Sequence, residues 1–87
     1  MYISTDAIIL KNTRYKESSI ISRIFTYDTG KVSVIFKGAK KGKNNLSGTI
    51  EPGNIVHITY YNNNSSIKIV KEASLKKIYF RTREVLE

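Results

Sequence analysis

The sequence predicts an all-β domain, a small barrel of five strands, and three observations predict it. β-Branched residues dominate: 13 Ile, 5 Val and 7 Thr stand against 4 Leu and 3 Ala, a balance that suits pleated strands better than helices. Turn signals recur at short, regular intervals. Between them apolar and polar residues alternate with a period of two, most clearly where Val32, Val34 and Phe36 alternate with Lys31, Ser33 and Lys37. Eighty-seven residues make one domain with a modest core.

The first strand is placed at Thr5–Lys11, where the apolar run Ala7–Leu10 lies, and the polar segment Asn12–Ser18 ends it. The second strand covers Ser19–Tyr27. Asp28-Thr29-Gly30 then forms a tight hairpin loop, with Gly30 free to take the left-handed conformation. The third strand is Lys31–Lys37. A long connection, Gly38–Asn54, holds four of the five glycines and the only proline, Pro52; a short helix near Asn44–Ile50, capped by Asn44 or Asn45, fits inside it. The fourth strand is Ile55–Tyr61, the run Asn62–Ser66 is a turn, and the fifth strand is Ile67–Ser74. The basic tail from Leu75 to Glu87 reads as helix or linker. Five strands with a long excursion between the third and fourth match the Greek-key OB-fold barrel; an SH3-like barrel is the alternative on length alone. The domain is assigned to residues 1–75 and the tail to 76–87.

Composition excludes several function classes. Fifteen basic and seven acidic side chains leave a net charge of +8, which points to an anionic partner. Cysteine is absent and histidine occurs once, so no thiolate zinc site, Cys nucleophile or His-rich metal site is expected. His57 has no Ser, Asp or metal-ligand partner at motif spacing and reads as structural. The seven carboxylates are scattered, and no phosphate loop, dinucleotide fingerprint or nucleophile elbow is present. The expectation is a non-enzyme with no cofactor, no small-molecule substrate and no membrane association.

Three features carry binding chemistry. Lys37-Gly38-Ala39-Lys40-Lys41-Gly42-Lys43 places four ammonium groups and two glycines in seven residues. Such a loop suits phosphates, whose counterions it displaces, although a solvated charged loop looks the same. Second, a hairpin turning at Asp28–Gly30 sets Tyr27 opposite Lys31, Phe25 opposite Ser33, Arg23 opposite Ile35 and Ile21 opposite Lys37. One face then carries Arg23, Phe25, Tyr27, Lys31 and Lys37, and the other, with Ile20, Ile24, Val32, Val34 and Phe36, is core. Rings that stack on bases beside cations that follow a backbone are what a single-stranded nucleic acid needs. Phe25 fits either core or surface; Tyr27 fits the surface. Third, Lys11, Arg14 and Lys16 flank Tyr15, either a further basic–aromatic cluster or an ordinary polar turn. Tyr60 and Tyr61 point to opposite faces, so at most one is exposed.

The stretch Ile20–Lys43 resembles the N-terminal domain of the bacterial recombination mediator RecO. The resemblance rests on the apolar opening Thr5–Leu10, Glu17 followed by Ser18-Ser19, the Phe25-Thr26 pair, Gly30 before the third strand, the Lys37-Gly38-Ala39-Lys40-Lys41 cluster and the segment Ile50–Pro52. It covers about Thr5 to Leu75. It implies an OB-fold domain that binds single- and double-stranded DNA in repair and recombination. The family helps anneal complementary strands and load the RecA recombinase onto DNA coated by single-strand-binding protein, acting with RecR. By position, it implies DNA contacts at Lys37, Lys40, Lys41 and Lys43, and a bacterial cytoplasmic protein working at the nucleoid. Gly42 and Asn44 stand where the family often has Pro and Ser. The family continues into a larger helical domain, often with a cysteine zinc site, so this chain is expected to be a fragment or short form whose tail begins that domain. A module that docks an acidic protein such as RecR or single-strand-binding protein is the alternative function, and an RNA-binding barrel a third.

Overall fold

The computed structural model describes residues 1–39 and 46–77. Five strands are present: β1 (Tyr2–Tyr15), β2 (Ser19–Thr26), β3 (Gly30–Phe36), β4 (Ile55–Tyr61) and β5 (Ile67–Lys77). They close into a barrel in the order β1-β2-β3-β5-β4, with β4 returning to β1. All pairings are antiparallel except β3 with β5, which run parallel from Ser33/Ile67 to Ile35/Ile69. This strand order with that parallel pair is the OB-fold architecture expected from the sequence.

The core is the inward set of the alternating strands. Ile20 and Ile24 from β2, Val34 and Phe36 from β3, and Val56, Ile58 and Tyr60 from β4 are buried together, with Val32 packed against them. Of the tyrosine pair, Tyr60 is 2% exposed and Tyr61 37%, as the alternation requires.

β1 is much longer than the sequence suggested: its polar half, Asn12–Tyr15, stays in the strand, and only Lys16–Ser18 turn the chain. The reason is a bulge. Pairing with β2 slips between Ile9 and Lys11, leaving Leu10 unpaired. One extra residue bends a strand and inverts its alternation. Before the bulge the odd positions Thr5, Ala7 and Ile9 are buried; after it Asn12 faces buried Ser22, and Lys11, Thr13 and Tyr15 are exposed. Ser22 Oγ donates to Asn12 Oδ1 at 2.6 Å, and Asn12 Nδ2 donates to the Ile50 carbonyl at 2.9 Å. The polar residues that looked like a loop thus tie the barrel end to the following connection.

The hairpin register also differs. Thr26 pairs with Gly30, Phe25 with Lys31, Arg23 with Ser33 and Ile21 with Ile35, two residues from the register expected. The loop is Tyr27-Asp28-Thr29. Thr26 decides this: its buried hydroxyl donates to the Gly30 carbonyl and accepts from Thr29 N–H, both at 3.0 Å, so the ladder ends there. Gly30 takes the left-handed conformation, φ +82°. A shift of two preserves the faces while changing every partner.

The expected helix near Asn44–Ile50 is not formed in its described part. Leu46–Ile50 is a turn in which Thr49 and Ile50 N–H both donate to the Leu46 carbonyl. The carbonyls that would continue a helix, of Gly48 and Thr49, instead accept from buried Asn54 Nδ2, each at 3.1 Å. Ile50 and Ala39 close that end of the barrel from this connection. β5 runs on through Leu75 to Lys77, past the expected boundary, because Val56 and Ile55 of β4 still pair with it. The remainder of the expected tail, 78–87, lies outside the described residues. No helix of the described residues is long and apolar enough to cross a membrane.

Candidate nucleic-acid interface

The outward face of β1, β2 and β3 collects most of the basic residues singled out in the sequence. Lys11 pairs directly with Arg23 across β1 and β2, and Phe25 pairs with Lys31 across β2 and β3. Tyr27 follows in the hairpin loop, 89% exposed, and Phe25 is 47% exposed. At the other end of the strip stand Tyr15 at the end of β1, Lys16 just after it and Lys37 after β3, all exposed. The strip is about eight residues of strand long, so roughly 26 Å at the usual rise.

Its electrostatics are one-sided. Among the described residues the ion pairs are those of Asp6 with His57 and with Lys76. Lys11, Lys16, Arg23, Lys31 and Lys37 therefore have no carboxylate partner among them. Lys11 and Arg23 even stand directly opposite each other, an arrangement that costs a few tenths to 1 kcal/mol unless an anion lies between. Lys16 Nζ sits 5.3 Å from the centre of the Tyr15 ring.

The expected site is otherwise divided. Arg14 stands opposite buried Ile20, so it has the inward alternation and reaches solvent only because β1 passes the barrel end; it does not share the face of Lys11 and Tyr15. Lys40, Lys41 and Lys43 lie outside the described residues. Their flanks are held together: Leu46 N–H donates to the Ala39 carbonyl at 2.6 Å, and Gly38 N–H donates to Ser19 Oγ at 3.4 Å.

Two apolar features on the outer surface were not read from the sequence. Ile8, Phe25, Tyr27 and Ile55, with Ala7 and Asp6, line a shallow hollow at the hairpin end. At the opposite end Ile21, Ile35, Ile67 and Ile69 form a groove whose rim is Tyr15, Lys16 and Lys37. The parallel β3–β5 pairing makes the second, by setting Ile69 beside Ile35. The turn before β5 is fixed by Asn63, whose side chain accepts from Ser65 N–H and whose carbonyl accepts from Lys68.

His57, expected to be structural, has a partner 51 positions away. On the β1–β4 side Asp6 accepts from Lys76 Nζ at 2.6 Å and from His57 Nδ1 at 2.8 Å. These bonds, Lys76 first, hold the Asp6 carboxyl below its ordinary value of 3.8. A carboxyl lowered on folding stabilises the fold above its unfolded pKa, and that contribution disappears as pH falls through the folded value. The expected result is that Asp6→Asn lowers Tm slightly at neutral pH, and that the gap to wild type closes in thermal melts below about pH 4. The effect is small because the cluster is exposed. A gap that widened on acidification would contradict it.

A closed five-stranded barrel with β3 parallel to β5, carrying uncompensated cations and exposed rings outside β1–β3, defines a basic OB-fold domain. Residues 1–79 match the family described as Recombination protein O N terminal, and the chain belongs to that family. It is similar to the DNA repair protein RecO of Pelodictyon phaeoclathratiforme, 38% identical over 86% of this chain and 29% of that protein. The DNA repair protein RecO of Prosthecochloris aestuarii is 35% identical over 100% of this chain and 33% of its own length. For the DNA repair protein RecO of Salinibacter ruber the identity is 31% over 97% of this chain and 33% of that protein. The chain thus spans about a third of the length of the curated relatives it matches.

Proposed function

We propose that this domain is a non-catalytic DNA-binding module of DNA repair and recombination, which holds single- and double-stranded DNA along the outward face of β1, β2 and β3. The observation that carries this is the set Lys11, Lys16, Arg23, Lys31 and Lys37, gathered on one face with no ion pair to a carboxylate among the described residues. Such a face neutralises phosphates and releases the counterions condensed on the DNA. Exposed Tyr15, Phe25 and Tyr27 add ring surfaces for unpaired bases. Lys40, Lys41 and Lys43 extend the same contact. In a full-length protein this binding supports strand annealing and recombinase loading, together with RecR and single-strand-binding protein.

Fluorescence anisotropy of a labelled single strand and of a duplex of equal length, titrated at several salt concentrations, tests the reading. With the five cations engaged, log affinity falls against log salt with a slope of roughly −4.5 for duplex and −3.5 for single strand, steeper if the loop lysines join. Failure to bind either at low salt would assign the basic face to an acidic protein partner instead.

A further inference from the structure

We infer that the groove between Tyr15, Lys16 and Lys37 is a pocket for one unstacked base, which gives this face a site that single-stranded DNA fills and duplex does not. The inference rests on the DNA-binding reading above. Its ground is a local departure from what a solvent-facing sheet normally shows. The outer face of an antiparallel sheet is ordinarily polar, yet here Ile21, Ile35 and Ile69 stand in one row across β2, β3 and β5, and Ile67 adjoins them. The first three are cross-strand neighbours, so the floor is continuous. Ile35 is only 8% exposed, which makes the groove concave. Its volume, about 310 Å³, is at the small end of ligand sites and suits one planar group rather than an extended chain.

The rim specifies the charge of the occupant. Among the described residues both charged groups lining the groove are lysines, and no carboxylate lines it. Tyr15 presents a ring at the edge, 41% exposed, with the Lys16 ammonium near its face. Lys16 itself holds φ +58°, the one described non-glycine residue in the left-handed region. That conformation costs about 1 kcal/mol or more, and it sets the side chain at the groove mouth. An apolar floor, a ring at the edge and two cations at the mouth complement a base with its flanking phosphates. In a duplex the bases are stacked and paired, and extracting one costs a few kcal/mol, so duplex reaches the lysines and not the floor.

The test uses the 87-residue chain with three probes: an oligothymidylate, the same sugar–phosphate strand lacking its bases, and a duplex of equal length. The wild-type chain is expected to bind the base-bearing strand about tenfold or more tightly than the abasic one. Tyr15→Ala is expected to abolish most of that ratio while leaving duplex affinity and its salt slope within twofold of wild type. Ile69→Thr, at a partly buried position, is expected to do the same, and thermal melts report that both variants fold. A ratio near one in the wild type, with salt-dependent binding intact, would overturn the pocket and leave DNA binding standing. A large ratio that survives in both variants would place the stacked bases elsewhere, at Phe25 or Tyr27, and would also overturn it. Displacement of the abasic strand by an acidic, apolar-ended peptide from wild type and not from Tyr15→Ala, with a ratio near one, would give the groove to a protein partner. Absence of all DNA binding would overturn the reading beneath it as well.

Discussion

Phe36→Ala is expected to cost about 3–5 kcal/mol of folding stability. Phe36 is 1% exposed and, among the described residues, the largest side chain below 2% exposure; it lies at the end of β3, opposite Ile20. Around it the strands are held by main-chain ladders, so a deleted ring leaves a cavity that cannot collapse fully. A domain of this size has a total stability of roughly 4–13 kcal/mol, so the loss removes a large fraction of it. Urea titration should show a much lower midpoint at unchanged slope, and Tm should fall by at least about 12 °C. Phe25→Ala is the matched control. Its ring is half exposed on the outer face, so its loss should stay below about 1 kcal/mol. Equal costs for the two would refute the assignment of inner and outer faces.

The second large effect is on binding. Replacing Lys11, Arg23 and Lys31 together by alanine is expected to flatten the duplex salt slope by roughly 2.7, at about 0.9 per phosphate contact. A fourfold drop in salt then raises wild-type affinity roughly fortyfold more than that of the variant. Stability should hold or rise slightly, since the substitution removes the Lys11–Arg23 repulsion. That combination separates a binding face from a solvated one: ordinary surface lysines would leave the slope unchanged. If the slope does not move, the contacts lie with the loop lysines and Lys37.

The sequence made some of this legible and concealed the rest for physical reasons. The barrel was legible because alternation and turn chemistry are local: Val32, Val34 and Phe36 announce β3, and Gly30 announces the hairpin end. The face of Arg23 and Lys31 was legible for the same reason, and it survived a wrong register because an error of two preserves the side of every residue. The register itself depends on the Thr26 hydroxyl, whose bonds to Gly30 and Thr29 leave no trace in hydrophobic periodicity. β1 was read too short because its bulge at Leu10 inverts the alternation, so its second half looks like the polar segment that ends a strand. The His57–Asp6 pair and the isoleucine groove were invisible because strands distant in sequence create them. Ile67 and Ile69 flank Lys68 in a pattern that reads as an ordinary half-buried strand, and only the parallel pairing with β3 turns them into a floor.

The same topology has a kinetic consequence. Pairing of β1 with β2 and of β2 with β3 joins residues between 7 and 36, through two short turns. Closure joins Tyr2 to Tyr61 and needs β4 and β5 in place. As the chain emerges during synthesis, the basic meander is therefore complete in sequence well before the barrel can shut. Loop-closure entropy makes that last step the slow one, and until it occurs the inner face, with Ile20, Ile24 and Val34, is open to other chains. The positive charge along the meander's outer side opposes the close approach of two such open ribbons.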